Sequence, residues 1–446
     1  MSVIKVEEGS VVAVFGFGVT GRAVVKSLLG RGITVVVFDD SPTSDGKAYA
    51  ESLGVPLIVP FDNNVIVEHM QIANFAMPTP GLPETHFFFE FAHEMQIPVM
   101  SEFDLAGLWD ERPIVAITGT NGKTTVTTMV AEMLEKSNIV TAVAGNTVVP
   151  LVTAIEDKMV EKFVVEASSF RLAQSQCFKP HIAAWLNFAP DHLDVHKDIN
   201  VYEQAKKSIW KNVTSTDVAV ANIDDDVVRR NLPQGCRIAT FGLKNGDSRL
   251  ENENIVINGT PLLEVGELAR SAPHDILNAL AAATIAAESG AVAHGITEVL
   301  TKFTGLTHRM TYLGSAQGVG WYNDSKSTTP HSVAAAVQNF ENVVLIVGGQ
   351  NKGIDLTVLG LLSGHLKAVV TIGEAAEEIT EVFRGNIPTD RAETMDEAVV
   401  HARGRSESGD VVILSPGCAS FDWYENYEER GRHFSDLVTQ IVFGCA

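Results

Sequence analysis

One stretch limits what this chain can fold into more than any other: PIVAITGTNGKTTVTTMV, Pro113 to Val130. An apolar run, a glycine turn ending in Gly-Lys-Thr and a helix-forming segment follow one another. Such a turn gathers backbone N–H groups and a helix N-terminus at one point, where phosphate oxygens are held. The standard phosphate loop spaces its first glycine five positions before the glycine that precedes lysine. Here Gly119 and Gly122 are three apart, and Ile117 occupies the usual first-glycine place. The amides from Gly119 through Thr120, Asn121, Gly122, Lys123, Thr124 and Thr125 can still face phosphate. Lys123 can reach the terminal phosphates, and the Thr124 hydroxyl can ligate Mg²⁺. A glycine turn with an incidental lysine fits less well after so clean a strand.

A second glycine turn, FGFGVTGRA, places Gly16, Gly18 and Gly21 between a strand and a helix, and Asp39 ends the next strand. Alone it suggests a nicotinamide dehydrogenase. The physics is less selective: glycines admit backbone to any nucleotide diphosphate, and the helix N-terminus favours negative charge.

The 446 residues are too many for one compact core and suggest about three domains. Apolar runs that end in polar residues alternate with helical segments throughout, which predicts α/β architecture with mostly parallel sheets. The expected division is 1–99, 100–305 and 306–446: a Rossmann-like unit, a central phosphate-loop unit and a second Rossmann-like unit. RIATFGL and NIVING suggest a smaller β patch near residues 237 to 260. Ser101 reads as the cap of a helix over EFDLAGLW, and HDILNALAAATIAAESG as an alanine-rich helix closed by Gly290. No apolar run approaches a membrane span, and the N-terminus does not read as a signal peptide. A cytoplasmic protein without membrane insertion is expected. A net charge of −22 argues against nucleic acid as a partner. Cys177, Cys236, Cys418 and Cys445 show neither zinc-ligand nor C-x-x-C spacing.

Polar residues at strand ends converge on the ligand in open parallel sheets. This selects Glu166 in VVEASSF and the loop containing Asp191, His192, Asp194 and His196. By spacing alone that loop is equally a solvated connection, and Lys206 and Lys207 equally a solvated helix face. In the last third, Arg309, Lys326, Thr328, Lys352 and Ser420 are the donors an anionic small substrate needs.

GTNGKTT, EASSF, DHLD, YEQAKKSIW, HDILNAL, GLTHRM, NDSKSTTP and SPGCASFDWYENYEERG occur here in the order seen in the Mur ligases of peptidoglycan synthesis. The resemblance covers essentially the whole chain. It is strongest to members that join D-glutamate to UDP-N-acetylmuramoyl-L-alanine using ATP and Mg²⁺, two ions being expected. The resemblance implies a monomer that makes an acyl phosphate on the substrate carboxylate, which the glutamate amine then attacks. It implies Lys123, His192 and Lys206 as catalytic, and Thr124, Glu166, His192 and Lys206 (carbamoylated) as the metal set. ATP would also meet Asn278, Arg309 and Asp324. The UDP-sugar path would run along Gly18, Val19, Thr20, Gly21, Asp39, Thr79, Gly81, Asn146 and Ser168. Glutamate would meet Lys326, Thr328, Lys352, Ser420 and Tyr427. Three units on flexible joints suit closure over substrates.

Some positions depart from the family pattern. Arg171 stands where it has glutamine, Asp275 precedes the alanine-rich helix, Tyr427 replaces phenylalanine, and Thr329 replaces asparagine. Asp40 and Ser41 follow Asp39 where a basic residue is expected. These bear on uridine and glutamate contacts, so an L-glutamate-adding relative and other siblings stand as alternatives.

Overall fold

The structure is a computed structural model that describes residues 6–59, 63–146, 149–191, 195–338, 340–351 and 354–444. Among the described residues there are three sheets. The first comprises β1 (Val11–Phe15), β2 (Thr34–Phe38), β3 (Leu57–Ile58) and β4 (Phe75–Pro78), all parallel, in the order β3-β2-β1-β4.

The central sheet has nine strands: β5 (Ile114–Thr118), β6 (Thr141–Gly145), β7 (Lys162–Glu166), β8 (Ile182–Trp185), β9 (Val218–Asn222), β10 (Arg237–Gly242), β11 (Ser248–Glu251), β12 (Asn254–Ile257) and β13 (Thr260–Glu264). Their order is β13-β12-β11-β10-β9-β8-β5-β7-β6. Only the β11–β12–β13 meander is antiparallel. The expected β patch near 237 to 260 is thus an extension of the central sheet, because β10 pairs in parallel with β9.

The third sheet comprises β14 (Thr311–Ala316), β15 (Val319–Asn323), β16 (Val343–Gly348), β17 (Leu366–Ile372), β18 (Thr389–Arg391) and β19 (Val411–Gly417), in the order β14-β15-β19-β16-β17-β18. Only the β14–β15 hairpin is antiparallel.

β5 and β16 are buried along their whole length, as strands covered on both faces must be. Alternation along β5 divides the core. Ile114 and Ala116 enter one cluster with Trp185 and Phe163; Val115 and Ile117 enter another with the helices Lys123–Glu135 and Pro273–Glu288. The second helix presents Ala279, Ala281, Ala282, Ala283 and Ala286 inward, small side chains that let its backbone lie close to its neighbours. Gly290 follows it at φ +96°, a conformation that favours glycine. Ser101 caps the helix Glu102–Trp109 in a reciprocal capping box with Asp104.

The chain forms two compact units, Met1–Thr304 and Gly305–Ala446. Within the first unit the β1–β4 sheet and the central sheet share one core cluster. Arg31 links them: its guanidinium lies 2.7 Å from Glu156 and 4.1 Å from the Trp109 ring centroid. Apolar burial and this partly exposed ion pair join the first two sheets within that unit.

Candidate active site

The short loop works because a neighbouring strand holds it. β5 ends at Thr118, and Gly122 caps the following helix at φ +80° without a side-chain hydrogen bond. A Cβ at Gly122 would lie 2.5 Å from Asn278 Oδ1, so both the backbone angle and the space demand glycine. Asn187, just past β8, braces the turn. Its Oδ1 accepts from the amides of Thr120 and Asn121 at 3.0 and 2.9 Å, and its Nδ2 donates to the Asn121 carbonyl. Two of the amides expected to face phosphate are thus turned inward. The helix's first turn, from Lys123 through Thr124 and Thr125, remains the positive end, since its amides lack intrahelical acceptors.

Lysine density is high here. Lys123 Nζ donates to the carbonyls of Gly119 and Thr120, both at 2.9 Å, and Lys206 Nζ donates to Gly119 at 2.7 Å. Lys206 is 1% exposed, on the helix Ile199–Lys207, with its ammonium 4.5 Å from the Tyr202 ring centroid. Burial, and then the charge of Lys123, push its pKa well below the usual lysine value, against the pull of Asp191. Lys207 faces outward. The alternative of a solvated face holds for Lys207 and fails for Lys206. Tyr202 reaches the loop as well: its hydroxyl lies 3.2 Å from Thr120 Oγ1.

Glu166 ends β7 and is 3% exposed. Its Oε1 accepts from Asn146 Nδ2 at 3.2 Å; its Oε2 is buried with no hydrogen-bond partner among the described residues. An orphaned carboxylate oxygen near a phosphate loop is the donor a hard cation such as Mg²⁺ selects. His192 and Asp194 lie outside the described residues.

Beside the loop, Thr125, Met129, Asp275, Asn278, Leu300 and Phe303 line a cleft. Asp275, one of the departures from the family pattern, is held there by Arg270 at 3.0 Å.

The first glycine turn divides its labour. Gly16, at φ +94°, would place a Cβ 2.1 Å from Thr79 Oγ1, and Gly21 one 2.0 Å from the Gly16 carbonyl. Both glycines allow close packing. Gly18, Val19 and Gly81 instead look onto open space or solvent. Asp39 accepts from the amides of Phe17 and Ser41 at 2.7 and 2.9 Å, so it ties the turn to the end of β2. Thr20 Oγ1 accepts from Arg171 Nη2 at 3.0 Å, and Arg171 also pairs with buried Glu102. Ser168 caps the helix Ser169–Ala173 that carries Arg171.

In the second unit, Asp324 is buried just past β15. Its carboxylate accepts from Ser327 Oγ at 2.5 Å, Ser415 Oγ at 2.8 Å and the Met310 amide at 3.1 Å. Burial still pushes its pKa up to about 6, against those bonds and the nearby Arg309 charge. Lys326 Nζ sits 5.6 Å from the Tyr427 ring centroid, and Tyr427 opens the helix Tyr427–Leu437. Ser420 is 2% exposed and Thr328 half-buried. Lys352 lies outside the described residues.

The sequence reading missed Asn187, Tyr202 and Arg430. Arg430, 1% exposed, donates to the carbonyls of Ser325, Cys418 and Ala419 and to Ser325 Oγ, joining the NDSKS and SPGCAS loops. None of the three had a local signal: Asn187, just past β8, reaches the loop only through the β5–β8 pairing.

Residues 117–286 match the Mur ligase middle domain, and residues 308–418 the Mur ligase glutamate ligase domain. The chain is 36% identical to the UDP-N-acetylmuramoylalanine–D-glutamate ligase of Methylococcus capsulatus, over 97% of this chain and 95% of that one. It is also 36% identical to the ligase of the same name from Desulfosudis oleivorans, over 100% and 99%. The MurF ligase of Thermotoga maritima, solved in complex with ADP, shares the fold at a TM-score of 0.56 and 18% identity, covering 99% of this chain and 97% of that one. With two matching domains and relatives aligned along its full length, the chain belongs to the Mur ligase family.

Proposed function

We propose that this chain joins D-glutamate to UDP-N-acetylmuramoyl-L-alanine at the expense of ATP, as the names of its full-length relatives indicate for them. The observation that carries the reading is the lysine pair on the Gly119 carbonyl, at the head of a helix that starts with Lys-Thr-Thr. A carboxylate is a poor electrophile. Transfer of the γ-phosphoryl group to its oxygen releases ADP and creates a leaving group. The glutamate amine, arriving unprotonated, then attacks the acyl carbon, loses a proton and expels phosphate. Lys123 offsets the charge of two anions brought together.

In this reading, Thr124, Glu166, His192 and carbamoylated Lys206 hold Mg²⁺, two ions in all. When bound, Mg²⁺ supplies further neutralisation between phosphate and carboxylate. A neutral Lys206 amine adds to carbon dioxide, forming the N–C bond and losing a proton, and becomes an oxygen ligand. The loop Gly119 to Thr125 receives the phosphates, chiefly through the amides of the helix's first turn, since those of Thr120 and Asn121 bond Asn187. Asn278 receives the adenine; Arg309 and Asp324 are assigned to the same nucleotide. Gly18, Val19, Thr20, Gly21, Asp39, Thr79, Gly81, Asn146 and Ser168 line the UDP-sugar path. Lys326, Thr328, Lys352, Ser420 and Tyr427 take glutamate. Among the described residues, no helix is long and apolar enough to cross a membrane. We place the enzyme in the cytoplasm as a monomer, with domains 1–99, 100–305 and 306–446.

The test is phosphate release with ATP, UDP-N-acetylmuramoyl-L-alanine and a panel of amino acids. Release with D-glutamate is expected. Release only with L-glutamate, or only with another amino acid, assigns the chain to a sibling activity. No release, with NADH turnover instead, returns the first glycine turn to a dehydrogenase.

A further inference from the structure

His196 has no part in the roles above, yet it is 1% exposed and fully committed. Its Nδ1 lies 2.9 Å from Glu84 Oε1 and its Nε2 2.9 Å from Ser169 Oγ. The ring stacks on Phe170 at 5.4 Å and packs against Tyr202 at 5.2 Å. A carboxylate accepts and does not donate, so Nδ1 carries a proton; in the neutral ring Nε2 then accepts from the Ser169 hydroxyl. The order Ser–His–Glu is that of a hydrolase triad. Ser169 is only 2% exposed, however, and the His196 side chain is fully enclosed, so no substrate reaches the serine oxygen. The relay joins parts of the protein instead. Glu84 lies in the loop that leaves β4 past Thr79 and Gly81. Ser169 opens the helix that Ser168 caps and that carries Arg171. The ring of Tyr202 supports Lys206.

We infer that His196 is a positioning residue: through Glu84 and Ser169 it fixes the Thr79–Gly81 loop of the first sheet against the Ser168 helix of the central one. The two sides of the UDP-sugar path are thereby held in register. The inference rests on the function proposed above. It is tested with Glu84→Ala, Ser169→Ala, His196→Gln and the Glu84→Ala/His196→Gln double variant. Glu84 is the outer member, with 28% of its side chain exposed, so its removal spares the fold. Each single variant is expected to raise KM for the UDP-sugar about ten-fold. The expected fall in kcat is less than about three-fold, and KM for ATP stays within about two-fold. The double variant is expected to be no worse than its worse parent, because the same link is cut twice. Unchanged UDP-sugar KM, an equal rise in both KM values, or additive effects overturn the inference. Nitrogen NMR on ¹⁵N-histidine protein, without substrate, is expected to show a proton on Nδ1; an unprotonated Nδ1 overturns the relay. If circular dichroism finds His196→Gln unfolded, Glu84→Ala and Ser169→Ala decide. A wild-type chain inactive in the amino-acid panel refutes the proposed function, whereas an active one with indifferent variants refutes only this inference.

Discussion

Lys206 Nζ and Lys123 Nζ donate to one acceptor, the carbonyl oxygen of Gly119. Two ammonium groups on one carbonyl repel, and the buried one loses its proton more readily. A neutral amine is nucleophilic towards carbon dioxide. Native mass spectrometry in bicarbonate is therefore expected to show a gain of one carbon dioxide that Lys206→Ala abolishes. The same variant should retain its circular dichroism and lose at least about a hundred-fold in ligation rate. An unmodified, fully active wild type refutes this.

The same burial costs stability. The Lys206 pKa in the folded chain lies below its unfolded value near 10.5. Between those two values the unfolded chain holds a proton that the folded chain has shed, so stability falls as pH drops through the window. Lys206→Met keeps the stem and removes the penalty. At pH 7 the Tm of the variant is expected to exceed wild type by about 2–4 °C, with the gap closing towards pH 10. A variant that melts below wild type at pH 7 contradicts the sign.

Gly122→Ala meets two separate obstacles. Its φ of +80° strains any L side chain, and the new Cβ would sit 2.5 Å from Asn278 Oδ1. Calorimetry is expected to show ATP affinity reduced more than about ten-fold. Adding Asn278→Ala removes the clash but not the strain, so thermal stability should recover only in part. Full recovery shows that the backbone angle costs nothing.

How much of this could be read from the sequence differs by element. β5 and its helix were legible because an apolar run, glycines and Lys-Thr are local signals. Glu166 was legible as a polar residue ending an apolar strand. Lys206 was not, since a lysine on a helix is solvated until the fold encloses it. Only the resemblance singled it out. Asn187 brings its amide to the loop through the β5–β8 pairing, and pairing partners are not written in local pattern. The same reason hid the joint between the first two sheets: Arg31–Glu156 and Glu84–His196 span long sequence separations.

Asp324 gives a pH signature in the second unit. Its folded pKa of about 6 stands above the model-peptide value of 3.8. The stability tied to its proton is fully present below about pH 4 and is lost as pH rises through about 6. Asp324→Asn keeps the shape without the charge. The melting difference between wild type and variant is expected to shift in favour of wild type by up to about 3 kcal/mol as pH falls from 7 to 4. A pH-independent difference means that the carboxyl is not held up by burial.

Arg171 stands where the family pattern has glutamine, and its partner Glu102 is 4% exposed. Burial raises the Glu102 pKa; the Arg171 charge and the amides of Leu151 and Val152 oppose it. Arg171→Gln restores the family residue but strands that carboxyl. Denaturant titration is expected to show a loss of about 3 kcal/mol, the usual result of breaking a buried pair on one side. Glu102→Gln/Arg171→Gln should recover most of it, because no buried charge is left behind. Thr20 also loses its Nη2 donor, at the N-terminus of the helix Val19–Leu29. The double variant is therefore expected to regain stability while keeping a raised KM for the UDP-sugar. Equal losses in the single and double variants would mean that Arg171 acts through packing on Phe103, whose ring centroid lies 5.4 Å from its guanidinium.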